Sequence, residues 1–194
     1  MRKLIVEEWM SLDGYVADKN GRLDFFTHLS PQQNTYSDAD QLRFLDTVDT
    51  ILLGRKTYDL FVDFWPAANT ETEVIADRLN EIDKVVLSGS LQQAPWGNWK
   101  AATVISGDAV QAIQRLKALP GKNIVLWGSI SLVQLLVKEG LADELHIQLC
   151  PALTGGGRRL FEHEADFKQL KLMETRRYDT GTVFLSYALN SNND

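Results

Sequence analysis

"IVLWGSISLV", residues 124–133, decides the fold. Its apolar run stops at Gly128-Ser129 and resumes at once with helical spacing, Ile130 and Val133 falling on one face. A buried strand that turns within two residues into an amphipathic helix is the junction of a parallel, two-sided sheet. With no bulky side chain at the turn, backbone N–H groups face whatever lies above the strand end. The positive pole of the helix favours an anion there. The stretch therefore predicts an α/β architecture and a phosphate-binding turn together.

Working outward, the same alternation recurs. Residues 3–10 read as a strand, followed by a polar, Gly-bearing loop over 11–26. A helix is expected over 37–48 with Ser37 as N-cap, a buried strand over 50–54, and a helix over 56–65 stopped by Pro66. Strands over 84–88 and 101–106 follow, then a helix over 108–119, the strand 123–127, a helix over 129–140 closed by Gly140, and a strand over 142–150. The last third holds two strands around the turn "YDTGT". The order predicts one domain over 1–190, a mostly parallel sheet covered on both faces and finished by an antiparallel hairpin, with 191–194 as a disordered tail.

Composition narrows the chemistry. The chain has 194 residues, 44% of them hydrophobic, enough for one substantial core. A net charge of −6 opposes a nucleic-acid surface. Cys150 stands alone, and His28, His146 and His163 are too scattered for ligand spacing, so neither a disulfide framework nor a metal site is expected. Glu7 and Glu8 break the first apolar run, which predicts no secretory leader, and no segment has the apolar length of a membrane span. A cytoplasmic protein is the expectation.

Ligands of such sheets bind beyond the carboxyl ends of the strands. After 50–53 comes Gly54-Arg55-Lys56-Thr57: a permissive glycine, two cations, and a hydroxyl at a helix start. After 84–87 come Ser88 and Ser90 around Gly89, and after 123–127 come Gly128, Ser129 and Ile130. Three strand ends with small, hydroxylic or cationic residues predict a cradle for several phosphates. Neither G-x-G-x-x-G nor G-x-x-x-x-G-K-[ST] occurs. "GGGRR", 155–159, reads as a structural turn.

"SLDGYVAD", "LLGRKTYDLFVDFWP", "KVVLSGS" and "LADELHIQLCPALTGGGRRLF", in this order, resemble the dihydrofolate reductase-like superfamily. The likeness is closest to the C-terminal reductase domain of bacterial riboflavin-biosynthesis deaminase-reductases. It implies a three-layer fold with a mixed sheet of about eight strands, NADPH as hydride donor, and a homodimer. By that resemblance Gly54, Arg55, Lys56 and Thr57 grip the cofactor phosphates, and Ser88 and Ser90 lie near the adenosine 2′-phosphate. Gly128 and Ser129 match a pair, usually Gly-Gly and often cis, that lies against the cofactor.

On the substrate side the resemblance points to a carboxylate on the first long helix, sixteen residues before Gly54, which is Asp38. The same residue would complement the helix dipole. Strand alternation puts Glu7 on one face with Ile5 and Trp9, and the matching positions border the substrate pocket; Glu7 would also suit a solvated strand end. Ser11 and Asp13 are expected at the pocket mouth, Asp24 on the loop over the nicotinamide, and Gln148 facing the pocket. Trp65, Trp96, Trp99 and Trp127 read as packing residues. Two functions follow: an NADPH-dependent reductase of a small heterocycle, either the phosphoribosylamino-pyrimidine of riboflavin synthesis or a pterin, and a nucleotide-binding module without turnover.

Overall fold

The computed structural model describes residues 1–27, 35–71, 73–161 and 167–189. The first stretch holds strands β1 (Leu4–Ser11) and β2 (Tyr15–Ala17) and the short helix α1 (Asp24–Thr27). Helix α2 (Thr35–Asp46), strand β3 (Val48–Gly54) and helix α3 (Arg55–Val62) follow, then a 3-10 turn at Trp65–Ala67, helix α4 (Ala76–Glu81) and strand β4 (Asp83–Leu87). Strands β5 (Ala94–Trp96) and β6 (Trp99–Ile105) lead to helix α5 (Ala109–Ala118), strand β7 (Asn123–Trp127) and helix α6 (Ile130–Lys138). Strands β8 (Glu144–Cys150), β9 (Arg158–Arg159), β10 (Lys171–Arg177) and β11 (Val183–Ala188) complete the described chain.

Nine strands form one sheet in the order β10-β11-β8-β1-β7-β3-β4-β6-β5. The middle six, β8 to β6, are parallel, β11 and β10 extend one edge as an antiparallel hairpin, and β5 closes the other antiparallel to β6. The central strands are apolar on both faces, so each needs a cover of helices. On one face Leu4, Val6, Leu52, Ile124 and Leu126 pack under Ile113 of α5 and Ile130, Val133 and Leu136 of α6. On the other, Ile51, Leu53, Val86, Val125 and Trp127 pack under Leu45 of α2, Tyr58 of α3 and Leu79 of α4. Fully burying one such aliphatic side chain stabilises the fold by about 1.5–3 kcal/mol.

The sheet is the mixed, mostly parallel one expected, with one strand more than the eight anticipated. The addition is β5, whose Pro95 and neighbouring Gly97 read as loop; an edge strand tolerates the proline because one side of its backbone faces no ladder. Helix α2 begins at Thr35, so Ser37 sits buried inside its first turn instead of capping it. Helix α3 ends at Val62, before Pro66, which stands in the following 3-10 turn. Asp108 caps α5, its side chain accepting a hydrogen bond from the Gln111 amide at 2.9 Å. "GGGRR" ends in a short strand: β9 pairs with β2, and a Cβ at Gly157 would fall 2.0 Å from the Ala17 carbonyl, which only glycine avoids. The tail 191–194, His28 and His163 lie outside the described residues.

Candidate functional site

The strand order creates a crevice. Helix α2 carries the chain from β1 to β3 over one face, and α6 carries it from β7 to β8 over the other, yet β1 and β7 are neighbours. Their pairing stops at Glu7 opposite Trp127, while β1 runs on beside β8 to Ser11. Above Glu7 and Trp127 the strands therefore part, at the carboxyl edge and at a topological switch point, the place where open α/β sheets hold ligands.

Two helix starts meet there. Gly128 and Ser129 turn the chain from β7 into α6 with φ of +55° and +57°, through a trans peptide. A left-handed serine costs about 1–2 kcal/mol, and its hydrogen bonds offset that cost. The Ser129 amide donates to Thr57 Oγ1 at 2.8 Å, Ser129 Oγ donates to the same oxygen at 3.0 Å, and the Gly54 amide donates to Ser129 Oγ at 2.7 Å. The first turns of α3 and α6 are thus tied together. Their leading amides, those of Arg55 and Lys56 and of Ile130 and Ser131, lack partners within their helices. Two positive helix poles side by side have the geometry and polarity that suit an anion such as a diphosphate. Gly128 is confined by Thr57: a Cβ there would stand 2.8 Å from Thr57 Oγ1.

The remaining phosphate candidates flank this pair. Arg55 and Lys56 are exposed at the start of α3, with Arg55 Nε donating to both carboxylate oxygens of Asp59 at 2.8 Å. Ser88, buried, accepts from the amides of Ser90 and Leu91 at 3.2 and 3.1 Å, so its oxygen shapes the turn after β4, while Ser90 is exposed.

On the α2 side of the crevice Glu7 forms the floor. It is 4% exposed, and its Oε2 accepts from Trp127 Nε1 at 2.7 Å and Gln41 Nε2 at 2.9 Å. Phe61 lies 6.1 Å from Trp127 and 6.2 Å from Trp65, giving an aromatic wall. Asp38 stands one turn before Gln41 on α2, and burial raises its carboxyl above the usual range. Glu73 is raised as well, first by burial and then by the charge of Asp38. Asp40 points to the hairpin edge, accepting from Tyr178 Oη at 2.9 Å and Arg176 Nη1 at 2.8 Å. Trp9 stacks on Phe26 of α1 at 5.1 Å. Gln148, opposite Trp9 across β1 and β8, is 3% exposed, and its Oε1 has no hydrogen-bond partner among the described residues.

Three expected substrate residues have other partners. Ser11 is fully buried, donating to Asp13 Oδ1 at 2.6 Å and accepting from the Tyr15 amide at 3.0 Å. Asp13 accepts from the amides of Thr154 and Gly155, at 3.2 and 2.8 Å, pinning the glycine loop. The Ser11 hydroxyl and those amides hold its carboxyl below the ordinary range. Asp24 pairs with Arg22 at 2.7 Å on α1.

The residue that sequence reasoning passed over is Glu8. It is 6% exposed on the α6 side of β1, and its Oε1 lacks a partner among the described residues. Burial raises its carboxyl well above the usual range, reinforced by Glu7 and opposed by Arg158 and the Gly128 amide. "VEEW" carried the signal: in a strand buried on both faces, two successive carboxylates must both be buried.

With this geometry in place, comparisons locate the chain among known proteins. The family model described as the RibD C-terminal domain matches residues 2–184. The uncharacterized protein YyaP of Bacillus subtilis is 30% identical over 192 residues, 97% of this chain and 96% of that one. A putative riboflavin biosynthesis protein from Shewanella sp. PV-4 superposes with a TM-score of 0.77 at 27% identity, covering 96% of this chain and 98% of its own. Dihydrofolate reductase from Enterococcus faecalis, solved with NADP(H), shares the fold at a TM-score of 0.64 and 15% identity, over 97% of both chains.

Proposed function

The chain belongs to the RibD C-terminal domain family, and from that premise we propose that it is an NADPH-dependent reductase of a small nitrogen heterocycle. The observation that carries the reading is the pairing of the α3 and α6 helix starts through Thr57 and Ser129 beside the β1–β7 crevice. The residues present fit the cofactor. Two sets of leading amides suit a diphosphate, and the exposed Arg55 and Lys56 suit a further phosphate. When bound, the cofactor supplies hydride.

The chain's own part is to position and to protonate. Glu7, fixed by Trp127 and Gln41, is a buried acceptor that orients a ring bearing N–H groups. Asp38, half-buried with its carboxyl raised by burial, is the carboxylate suited to relay a proton to the reduced bond. The aromatic wall of Phe61, Trp65 and Trp127 offers flat faces to a heterocycle and keeps water from it. The test is a calorimetric titration with NADPH, followed by its oxidation at 340 nm with a panel of dihydropteridines and aminopyrimidines. Binding with turnover of one panel member is expected. Binding without oxidation by any of them would favour a nucleotide-binding module.

A further inference from the structure

We propose, resting on the reductase reading above, that Asn80 is a positioning residue for the second ligand: from outside the crevice it sets the Trp65 side of the aromatic wall. Trp65, Pro66 and Ala67 form a 3-10 turn in which no residue is buried, so packing alone does not fix it. Asn80, on α4, is 2% exposed and reaches that turn from behind. Its Nδ2 donates to the Trp65 carbonyl at 2.8 Å, beside the Ala68 amide, which donates to the same oxygen at 3.1 Å. Its Oδ1 accepts from Trp96 Nε1 of β5 at 2.6 Å, and its own carbonyl accepts from Lys84 Nζ of β4. One residue thereby joins α4, β4, β5 and the turn.

An amide is costly at this position. Asn80 follows the fully buried Leu79, and its partners Trp96 and Lys84 are buried as well. An apolar side chain of similar size would fill the space; the amide is tolerated because both of its ends are paired. What the pairs add is a single arrangement of the groups they join. The turn is restricted on its other side too. Pro66 fixes its own φ, its carbonyl accepts from Trp99 Nε1 at 3.4 Å, and a Cβ at Gly97 would fall 2.7 Å from its Cβ. The indole of Trp65 is thus presented to Phe61, 6.2 Å away, and through Phe61 to Trp127. All of this lies beyond the far end of α3: Val62 stands seven residues after Arg55, about 10 Å along the axis. Loosening the wall should therefore alter the affinity for the second ligand and leave that for the dinucleotide alone.

Two variants separate positioning from stability. Asn80→Asp keeps the acceptor for Trp96 and removes the donor to Trp65. Trp96→Phe removes the other arm and keeps that donor. Each is read by urea unfolding, by the Trp65 contribution to near-UV circular dichroism, taken as the difference from the same protein carrying Trp65→Phe, and by steady-state kinetics with the panel heterocycle that is turned over. Both variants should lose stability. Only Asn80→Asp should lose the Trp65 signal and raise KM for the heterocycle at least about fivefold, with kcat and NADPH affinity within about twofold of the wild type. Should it not fold, Asn80→Leu removes the same donor without adding a charge and is held to the same outcome. An unchanged signal and KM in the Asn80 variant would overturn the proposal. So would equal changes in Trp96→Phe, which would mean general loosening, or a matching loss of NADPH affinity. Were no panel heterocycle turned over by the wild type, the reductase reading would fall, and the Trp65 signal would still decide whether Asn80 sets the wall.

Discussion

Thr57 and Ser129 are joined by two hydrogen bonds between residues 72 positions apart, and the proposed phosphate cradle would depend on that joint. Thr57→Val keeps the shape and removes the acceptor, leaving the Ser129 amide unpaired. It should lower unfolding stability by about 1–3 kcal/mol and weaken NADPH at least about tenfold, read by urea unfolding and titration. Unchanged values would mean the joint is incidental. Gly128→Ala adds both left-handed strain and a clash with Thr57, whereas Gly140→Ala, at φ +66° in open space, adds strain alone. Gly128→Ala should therefore be the more destabilising by about 1 kcal/mol or more, compared in the same unfolding assay. The importance of Gly128 was legible in the sequence; its immediate reason, a neighbour distant in the chain, was not. For chemistry, Asp38→Asn should reduce kcat/KM by roughly 10²-fold with NADPH affinity unchanged. Glu7→Gln can keep its one carbonyl oxygen on Gln41 and Trp127, both of which donate to Oε2, and turns an amide donor toward the ring in place of the second oxygen, so its loss of activity should come with little loss of stability.

At the scale of elements, β8 is anchored at its first residue. Glu144 accepts from Lys3 Nζ at 2.7 Å, and His146 Nε2 lies 3.3 Å from its other oxygen. The His146 hydrogen bond first, then Lys3, lower its carboxyl from 4.5 to about 2 in the folded protein. A depressed folded value contributes stability fully present above the ordinary value and lost as pH falls through the folded one. The stability gap between the wild type and Glu144→Gln should thus be constant above about pH 5 and close as pH falls toward 2. A gap that persists unchanged at the acid end would refute that linkage. The central strands were readable because they are continuous apolar runs. The short β2, β5 and β9 were not, since Pro95 and the triple glycine carry turn chemistry and their pairing is set by distant partners.

For the molecule as a whole, the succession of strands and helices fixed which strand ends converge, so the strand ends used by the proposed phosphate side could be read from sequence. The substrate side could not be read so fully. Glu8, the orphaned oxygen of Gln148 and the Asp38–Glu73 neighbourhood exist only once the sheet brings β1, β8, α2 and the turn before α4 together. Binding to the folded crevice should stabilise the entire domain. NADPH at 100 times its Kd should add about 2.7 kcal/mol, raising Tm by about 5–10 °C for a chain of this size. In the proposed function the crevice holds a phosphorylated dinucleotide through Arg55 and the two helix starts. The most direct test is parallel titration of the wild type and Arg55→Ala with NADPH and NADH. NADPH should bind the wild type at least about tenfold tighter than NADH, and Arg55→Ala should lose most of that preference while keeping its NADH affinity. Equal affinity for the two dinucleotides in the wild type, or a preference that survives Arg55→Ala intact, would contradict it.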